Sequence, residues 1–203
     1  MAGQFNHSSL FRQAFEYKCI KLLVDAYHSA LKEKKYSKDW MENDFTSLLN
    51  HYIEENPYRI KEKITNKREN PLYNVKEKSV RGFANRENRI DLNFSTFGSD
   101  KEYHVFIEAK LLRQADRNLI KRYIETGIDS IINGKYPRGI LIGYQVEGSI
   151  ELTIKDGINK LLIDRKRDKE ILVYSPMTLH NDRYESSHDR YGTLKHLFFD
   201  FTA

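Results

Sequence analysis

At 203 residues the chain is long enough for one domain with a sizeable core. No apolar run approaches the roughly 18 residues of a membrane span, and the single Cys19 excludes an internal disulfide and any Cys/His zinc spacing. A net charge of +5 and a pI of about 9.1 are compatible with a polyanionic partner but do not require one.

The first residues, MAGQFNHSSLF, lack the basic start and apolar stretch of a secretory leader, so the expected location is cytoplasmic. Ser8 and Ser9 can cap a helix running to about Lys34, with Phe11, Ala14, Phe15, Leu22, Leu23, Ala26, Tyr27, Ala30 and Leu31 at helical spacing. Cys19 falls inside it as a packing residue. A second helix is predicted from Asp39 to about Glu55, ended by Asn56-Pro57, with a stripe of Met41, Phe45, Leu48, Leu49 and Tyr52. Glu42 lies about 60° from the centre of that stripe, at the border of core and solvent, and Glu54 lies on the far side.

Between Pro57 and Arg89 ten basic side chains face four acidic ones, with Tyr58, Tyr73 and Phe83 interleaved. Ile60 to Asn70 is expected as helix or loop, and Tyr73 to Phe83 as the first strand. Arg89 to Leu112 then has the pattern of a β-hairpin. Ile90, Leu92 and Phe94 alternate with polar residues, Gly98-Ser99-Asp100 makes the turn, and Tyr103 to Leu112 is apolar and β-branched. A helix follows from Arg113 to Asn133, stopped by Gly134 and Pro137. Arg138 to Val146 reads as a buried strand and Thr153 to Asp164 as a helix. Glu170 to Met177 is predicted as a strand, Asn181 to Tyr191 as a loop, and Leu194 to Phe201 as the last strand. His180 and His188 have no metal spacing and are assigned to the surface. No repeat or linker divides the chain, so residues 1–203 are expected to form one domain.

The chemistry concentrates in the hairpin. Glu108 and Lys110 are two apart on a strand and share a face. If the hairpin pairs so that Asp91 falls beside Glu108, two carboxylates and an ammonium meet on one surface. Crowded carboxylates need a cation, and Mg²⁺ takes oxygen ligands while keeping several waters. The alternative is an ordinary amphipathic hairpin whose Glu108 and Lys110 form a surface ion pair.

Ile90-Asp91 together with Glu108-Ala109-Lys110, preceded by the apolar Val105-Phe106-Ile107, resembles the PD-(D/E)XK nuclease superfamily, the restriction-endonuclease-like proteins. Ile90 stands where the family's name has proline. The resemblance covers residues of about 39–146. It implies an α/β fold with an αβββαβ core, a central mixed sheet flanked by helices, an added N-terminal helix and further C-terminal elements. The predicted order of helix, three strands, helix and strand agrees with it. The resemblance also implies an endonuclease that hydrolyses phosphodiester bonds of DNA rather than RNA, with Mg²⁺ or Mn²⁺ held by Asp91, Glu108 and the Ala109 carbonyl. Lys110 would act on the attacking water, and phage defence, restriction or repair would be the setting.

Glu42 matches the glutamate that family members often carry on the first core helix. It is equally explained as a first-turn glutamate favoured by the helix dipole. Lys61, Lys63, Lys67, Arg68 and Lys78, with Arg117 and Lys121 on the later helix, are the candidate contacts to a nucleic-acid backbone. A solvated charged surface is the alternative for this run. A homodimer, or a subunit of a larger system, is expected, with the N-terminal helix outside the core as interface. A non-catalytic nucleic-acid- or protein-binding module on the same fold is the competing function.

Overall fold

The computed structural model describes residues 7–71, 89–98, 101–135 and 139–202. Helix α1 (His7–Glu33) leads into α2 (Glu42–Glu55) and the short α3 (Pro57–Lys61). Three strands follow, β1 (Thr65–Pro71), β2 (Arg89–Phe97) and β3 (Glu102–Arg113). Helix α4 starts at Arg117–Arg122 and runs on through wider turns at Tyr123–Ile128 and Ile131–Lys135. After β4 (Gly139–Glu147), helix α5 is built from Ile150–Leu152, Thr153–Asn159 and Lys160–Asp164. A short turn, Asp168–Glu170, precedes β5 (Val173–Tyr174), β6 (Arg183–His188) and β7 (Gly192–Asp200).

The strands form one seven-stranded mixed sheet in the order β1-β2-β3-β4-β7-β6-β5. β1, β2 and β3 are an antiparallel meander. The α4 crossover makes β4 parallel to β3, β7 adds parallel to β4, and β6 and β5 continue antiparallel. Helices cover both faces, and β3 shows the division residue by residue. Tyr103, Val105, Ile107, Ala109 and Leu111 pack with α1 and α2. Phe106 and Leu112 pack with the isoleucines of α4 and α5. A strand buried on both faces is the reason β3 reads as a nearly continuous apolar run.

The expected mixed α/β class is therefore present, and two local expectations change. Thr65 to Asn70, within the stretch Ile60 to Asn70 expected as helix or loop, belong to β1, which among the described residues is an edge strand of the sheet. The strand expected at Tyr73 to Phe83 lies outside the described residues. Arg183–His188, expected within a loop, is β6, because Ser186 and His188 turn into the protein and pair with Leu194 and Gly192.

The N-terminal helix is not outside the core. Phe15, Cys19, Leu22, Leu23, Ala26 and Ala30 are buried against the chain's own sheet. The Tyr27 hydroxyl both donates to the Asp200 carbonyl and accepts the Asp200 N–H, each at 3.1 Å, which fixes α1 to the end of β7. These buried residues of α1 face the chain's own sheet, while Leu10, Phe11 and Tyr17 of the same helix stay exposed. Among the described residues no helix is long and apolar enough to cross a membrane.

Candidate active site

The β2–β3 ladder runs from Phe97 opposite Glu102 to Leu92 opposite Ile107. Asp91 and Glu108 lie one residue beyond the last pair of that ladder, on its two strands. There the ladder ends, and the strand edge of β3 is finished by side chains instead. The Asp91 carboxylate accepts the Ala109 N–H at 2.7 Å. The Glu42 carboxylate accepts the next N–H on that edge, Leu111, at 3.1 Å. In a strand the N–H and C=O of one residue point to the same side, so the Ala109 carbonyl opens into this gap as well.

Lys110 fills the gap. Its Nζ donates to Glu108 Oε1 at 2.8 Å, to the Ala109 carbonyl at 2.7 Å and to Glu42 Oε1 at 3.3 Å. Lys110 and Glu108 are each only 5% exposed, so the surface ion-pair reading of this motif does not hold. Burial alone would drive the proton off Lys110, but Glu108 and then Glu42 outweigh it and hold the ammonium pKa above its ordinary value. Asp91 shows the opposite strain. Burial first and the neighbouring Glu108 second push its carboxyl up to about 6, against the pull of Lys110 and the Ala109 N–H. Three carboxylates thus share one buried ammonium, and the local charge is left negative.

Glu42 reaches the site because α2 begins there. Asp44 accepts the Met41 N–H at 2.8 Å and caps the start of the helix. Thr46 donates to the Glu42 carbonyl at 3.0 Å and so takes a hydrogen bond from the Tyr144 hydroxyl on β4 at 3.1 Å. With one hydroxyl proton on each group, that chain has a single direction. Tyr144 therefore sets where the first turn of α2 stands. On the other face, Gly127 of α4 lets the helix close onto β3. A Cβ there would lie 3.4 Å from Lys110 Cγ and 3.1 Å from Leu141.

The structure brings together four of the predicted site residues, Asp91, Glu108, Lys110 and Glu42, with the Ala109 carbonyl. The predicted cations divide. Lys67 pairs with Asn93, and Asn93 with Phe106, which puts Lys67 on the same sheet face as Glu108. Arg68 takes the other face. Lys61 ends α3 and Lys63 sits in the following turn at φ 54°, both exposed. Lys121 is paired with Glu125 at 3.9 Å, and Arg117 is exposed at the start of α4. Lys78 lies outside the described residues.

Arg122 was not singled out in the sequence, yet its guanidinium is 3.7 Å from Glu42 Oε2 and half exposed. Nothing in the periodicity of α4 marks it, because its place depends on how the helix crosses the end of β3. Tyr144 and Thr46 were missed for the same reason.

The donor set is all oxygen. Two carboxylates and a backbone carbonyl suit a hard ion that keeps several waters, and the Asp91 carboxyl is raised first by burial and second by the neighbouring Glu108, the part such an ion would relieve. The residues fit Mg²⁺, although among the described residues no three His, Cys, Asp or Glu side chains are already gathered as a ligand set. The ammonium of Lys110 now takes the oxygens that an ion would use.

A second polar cluster lies on β6 and β7. Glu170, His188 and Ser186 follow one another at 2.6 and 2.7 Å, the order of a hydrolase relay. Ser186 is only 2% exposed and its other side is taken by His196 at 2.8 Å, so no substrate carbonyl can reach it. A cavity of about 470 Å³ between the Asp168–Glu170 turn, the end of β6 and the end of α4 has His188 in its wall and lies away from Lys110. No protein-family model, curated protein or solved structure matches this chain.

Proposed function

We propose that the chain is a Mg²⁺-dependent nuclease that hydrolyses phosphodiester bonds of DNA on a restriction-endonuclease-like αβββαβ core. The reading is carried by one observation. A buried lysine and three carboxylates converge on the β3 edge where β2 ends its pairing, leaving a net negative, oxygen-rich site beside basic surface. The order α2, β1 to β3, α4, β4 supports the core, and Lys67 and Arg122 supply positive charge near the site.

In this reading Asp91, Glu108 and the Ala109 carbonyl hold the ion, and Glu42 completes the carboxylate set. When bound, Mg²⁺ acidifies water and neutralises charge on the scissile phosphate, and Mn²⁺ substitutes for it. Lys110 would donate to the attacking water and to the phosphate oxygen on which charge builds. Asp91, which accepts the Ala109 N–H at 2.7 Å, would help hold the ion while keeping the strand edge in register.

The test is cleavage of plasmid, linear and single-stranded DNA and of RNA, with Mg²⁺ and then Mn²⁺. Wild type is compared with Asp91→Asn and Glu108→Gln, which preserve shape and remove charge. Loss of cleavage in both variants with unchanged folding is the expected result. Wild-type activity in Asp91→Asn would overturn the proposal. Tight but non-hydrolytic binding of DNA by wild type, with either ion, would assign the chain to the binding modules.

A further inference from the structure

Five side chains form an unbroken hydrogen-bonded row from the cavity wall to the core. Glu170 Oε2 meets His188 Nδ1 at 2.6 Å, and His188 Nε2 meets Ser186 Oγ at 2.7 Å. Ser186 Oγ meets His196 Nε2 at 2.8 Å, and His196 Nδ1 meets the Tyr123 hydroxyl at 2.9 Å. His196 and Tyr123 are fully buried, and Ser186 and His188 nearly so.

The protons can be placed by counting donors. Arg167 binds both oxygens of Glu170, at 3.0 and 2.7 Å, and holds its pKa below the usual carboxylate range. Glu170 is then an acceptor only, so His188 Nδ1 must carry a proton. A neutral His188 accepts at Nε2 from the Ser186 hydroxyl. Ser186 then accepts from His196 Nε2–H, and His196 Nδ1 accepts from Tyr123. Every donor has an acceptor, and the row is neutral beyond Glu170.

A proton added to His188 Nε2 turns that atom into a donor toward Ser186. The Ser186 hydroxyl must then turn to His196 Nε2, and His196 must carry its own proton on Nδ1, donating to Tyr123. The Tyr123 hydroxyl is left as a donor, and among the described residues it has no second partner. We propose that this row is a proton-linked switch in which charging His188 at the cavity wall reverses every hydrogen bond up to Tyr123. The change would then reach the helix that covers Lys110. Tyr123 and Gly127 are one turn apart on α4, and Gly127 seats the Lys110 stem. The inference concerns this row alone and stands whether or not the chain is a nuclease.

The groups that face His188 are identifiable from each side. Glu170 and Arg167 come from the turn before β5, Asp129 from α4 and His196 from β7. Lys166, Asp168, Lys169, Asp189 and Arg190 line the same cavity. Burial lowers the His188 pKa against the opposing pull of Glu170, and burial with His188 as neighbour lowers that of His196 further, to about 3. His188 is therefore the group that charges first.

The experiment is nitrogen NMR of the two imidazoles in the full chain across an acid titration, with the Gly127 amide followed in the same spectra. Near neutral pH His188 should be the Nδ1–H tautomer and His196 the Nε2–H tautomer. As His188 charges, His196 should change to Nδ1–H without becoming charged, and the Gly127 amide should move with the same midpoint. In Ser186→Ala, His188 still titrates while His196 and Gly127 no longer follow. Retention of Nε2–H by His196 when His188 is charged overturns the proposal. So does an unchanged response in Ser186→Ala, or unfolding before His188 takes up a proton.

Discussion

Lys110 on β3 and His196 on β7 point from the same face of the sheet into the same helical layer, and both are buried, yet their surroundings are built on opposite terms. Around His196 each donor meets an acceptor, the row is neutral beyond Glu170, and the one carboxylate is held by an arginine. Around Lys110 two carboxylates share one ammonium with a third beside them, and burial first and Glu108 second push Asp91 up to about 6. Burial of a balanced row is a structural solution. Burial of unbalanced charge raises the energy of the resting protein, an arrangement that clusters at functional sites. The difference also explains why the two clusters should fail differently.

The largest expected effect is at Lys110. Lys110→Met removes the ammonium from which both Glu108 and Glu42 accept, so unfolding in urea should show a loss of about 3–5 kcal/mol. Adding Glu108→Gln should recover much of that stability and no cleavage. Equal stability of Lys110→Met and wild type would break the contrast, since it would mean the carboxylates are already relieved.

Acid should separate the regions next. His196 has a folded pKa lowered to about 3, so its stabilisation is complete above the unfolded value of about 6.5 and is lost as pH falls below it. Between pH 6.5 and 4 the loss is about 3 kcal/mol. Asp91 has a raised folded pKa, so its charged form is the disfavoured one in the native state. Stability is regained as pH falls from about 6 toward 4, by roughly 2 kcal/mol. The Asp91 gain should therefore offset part of the His196 loss over this range. Asp91→Asn should steepen the fall in stability, and His196→Gln should lessen it. Parallel urea midpoints against pH for all three proteins would contradict both assignments.

A smaller effect is expected at Tyr144. Tyr144→Phe removes one buried hydrogen bond to Thr46 and should destabilise by about 1 kcal/mol. Because Thr46 holds the Glu42 carbonyl, the rate of cleavage should fall more than the affinity for DNA. A change in affinity alone would show that Tyr144 does not act through Glu42.

The smallest difference concerns two neighbours on α4. Lys121 pairs only with exposed Glu125, so Lys121→Ala should change stability by at most about 0.5 kcal/mol. Arg122→Ala, at the site mouth, should lower the slope of log affinity against log salt by about 1 if it meets a phosphate. Equal slopes for the two variants would make Arg122 a solvated partner of Glu42 and nothing more.

The charged motif on β3 was legible because a strand has a fixed period. Glu108 and Lys110 must share a face, and the apolar run ahead of them had to be a buried strand. The helices and the parallel crossover were legible for the same reason, since α1, α2 and α4 carry their apolar stripes in the sequence. β6 was not, because its polar residues make sense only as a row with His196 and Tyr123, which come from other elements. The edge strand β1 was misread because its residues are polar and one of its faces has little to cover.

Local pattern by itself determined that Asp91, Glu108 and Lys110 lie on a hairpin, that Cys19 packs in a helix, and that the chain has an α/β order. Only tertiary structure decided that the Glu108–Lys110 pair is buried and that Glu42 enters the gap in the β3 edge rather than facing solvent. It alone made α1 part of the core and set Arg122 beside the carboxylates. Those outcomes depend on where helices cross the sheet, and the crossing is set by contacts such as Gly127 on Lys110 and Tyr144 on Thr46, between residues far apart in the chain.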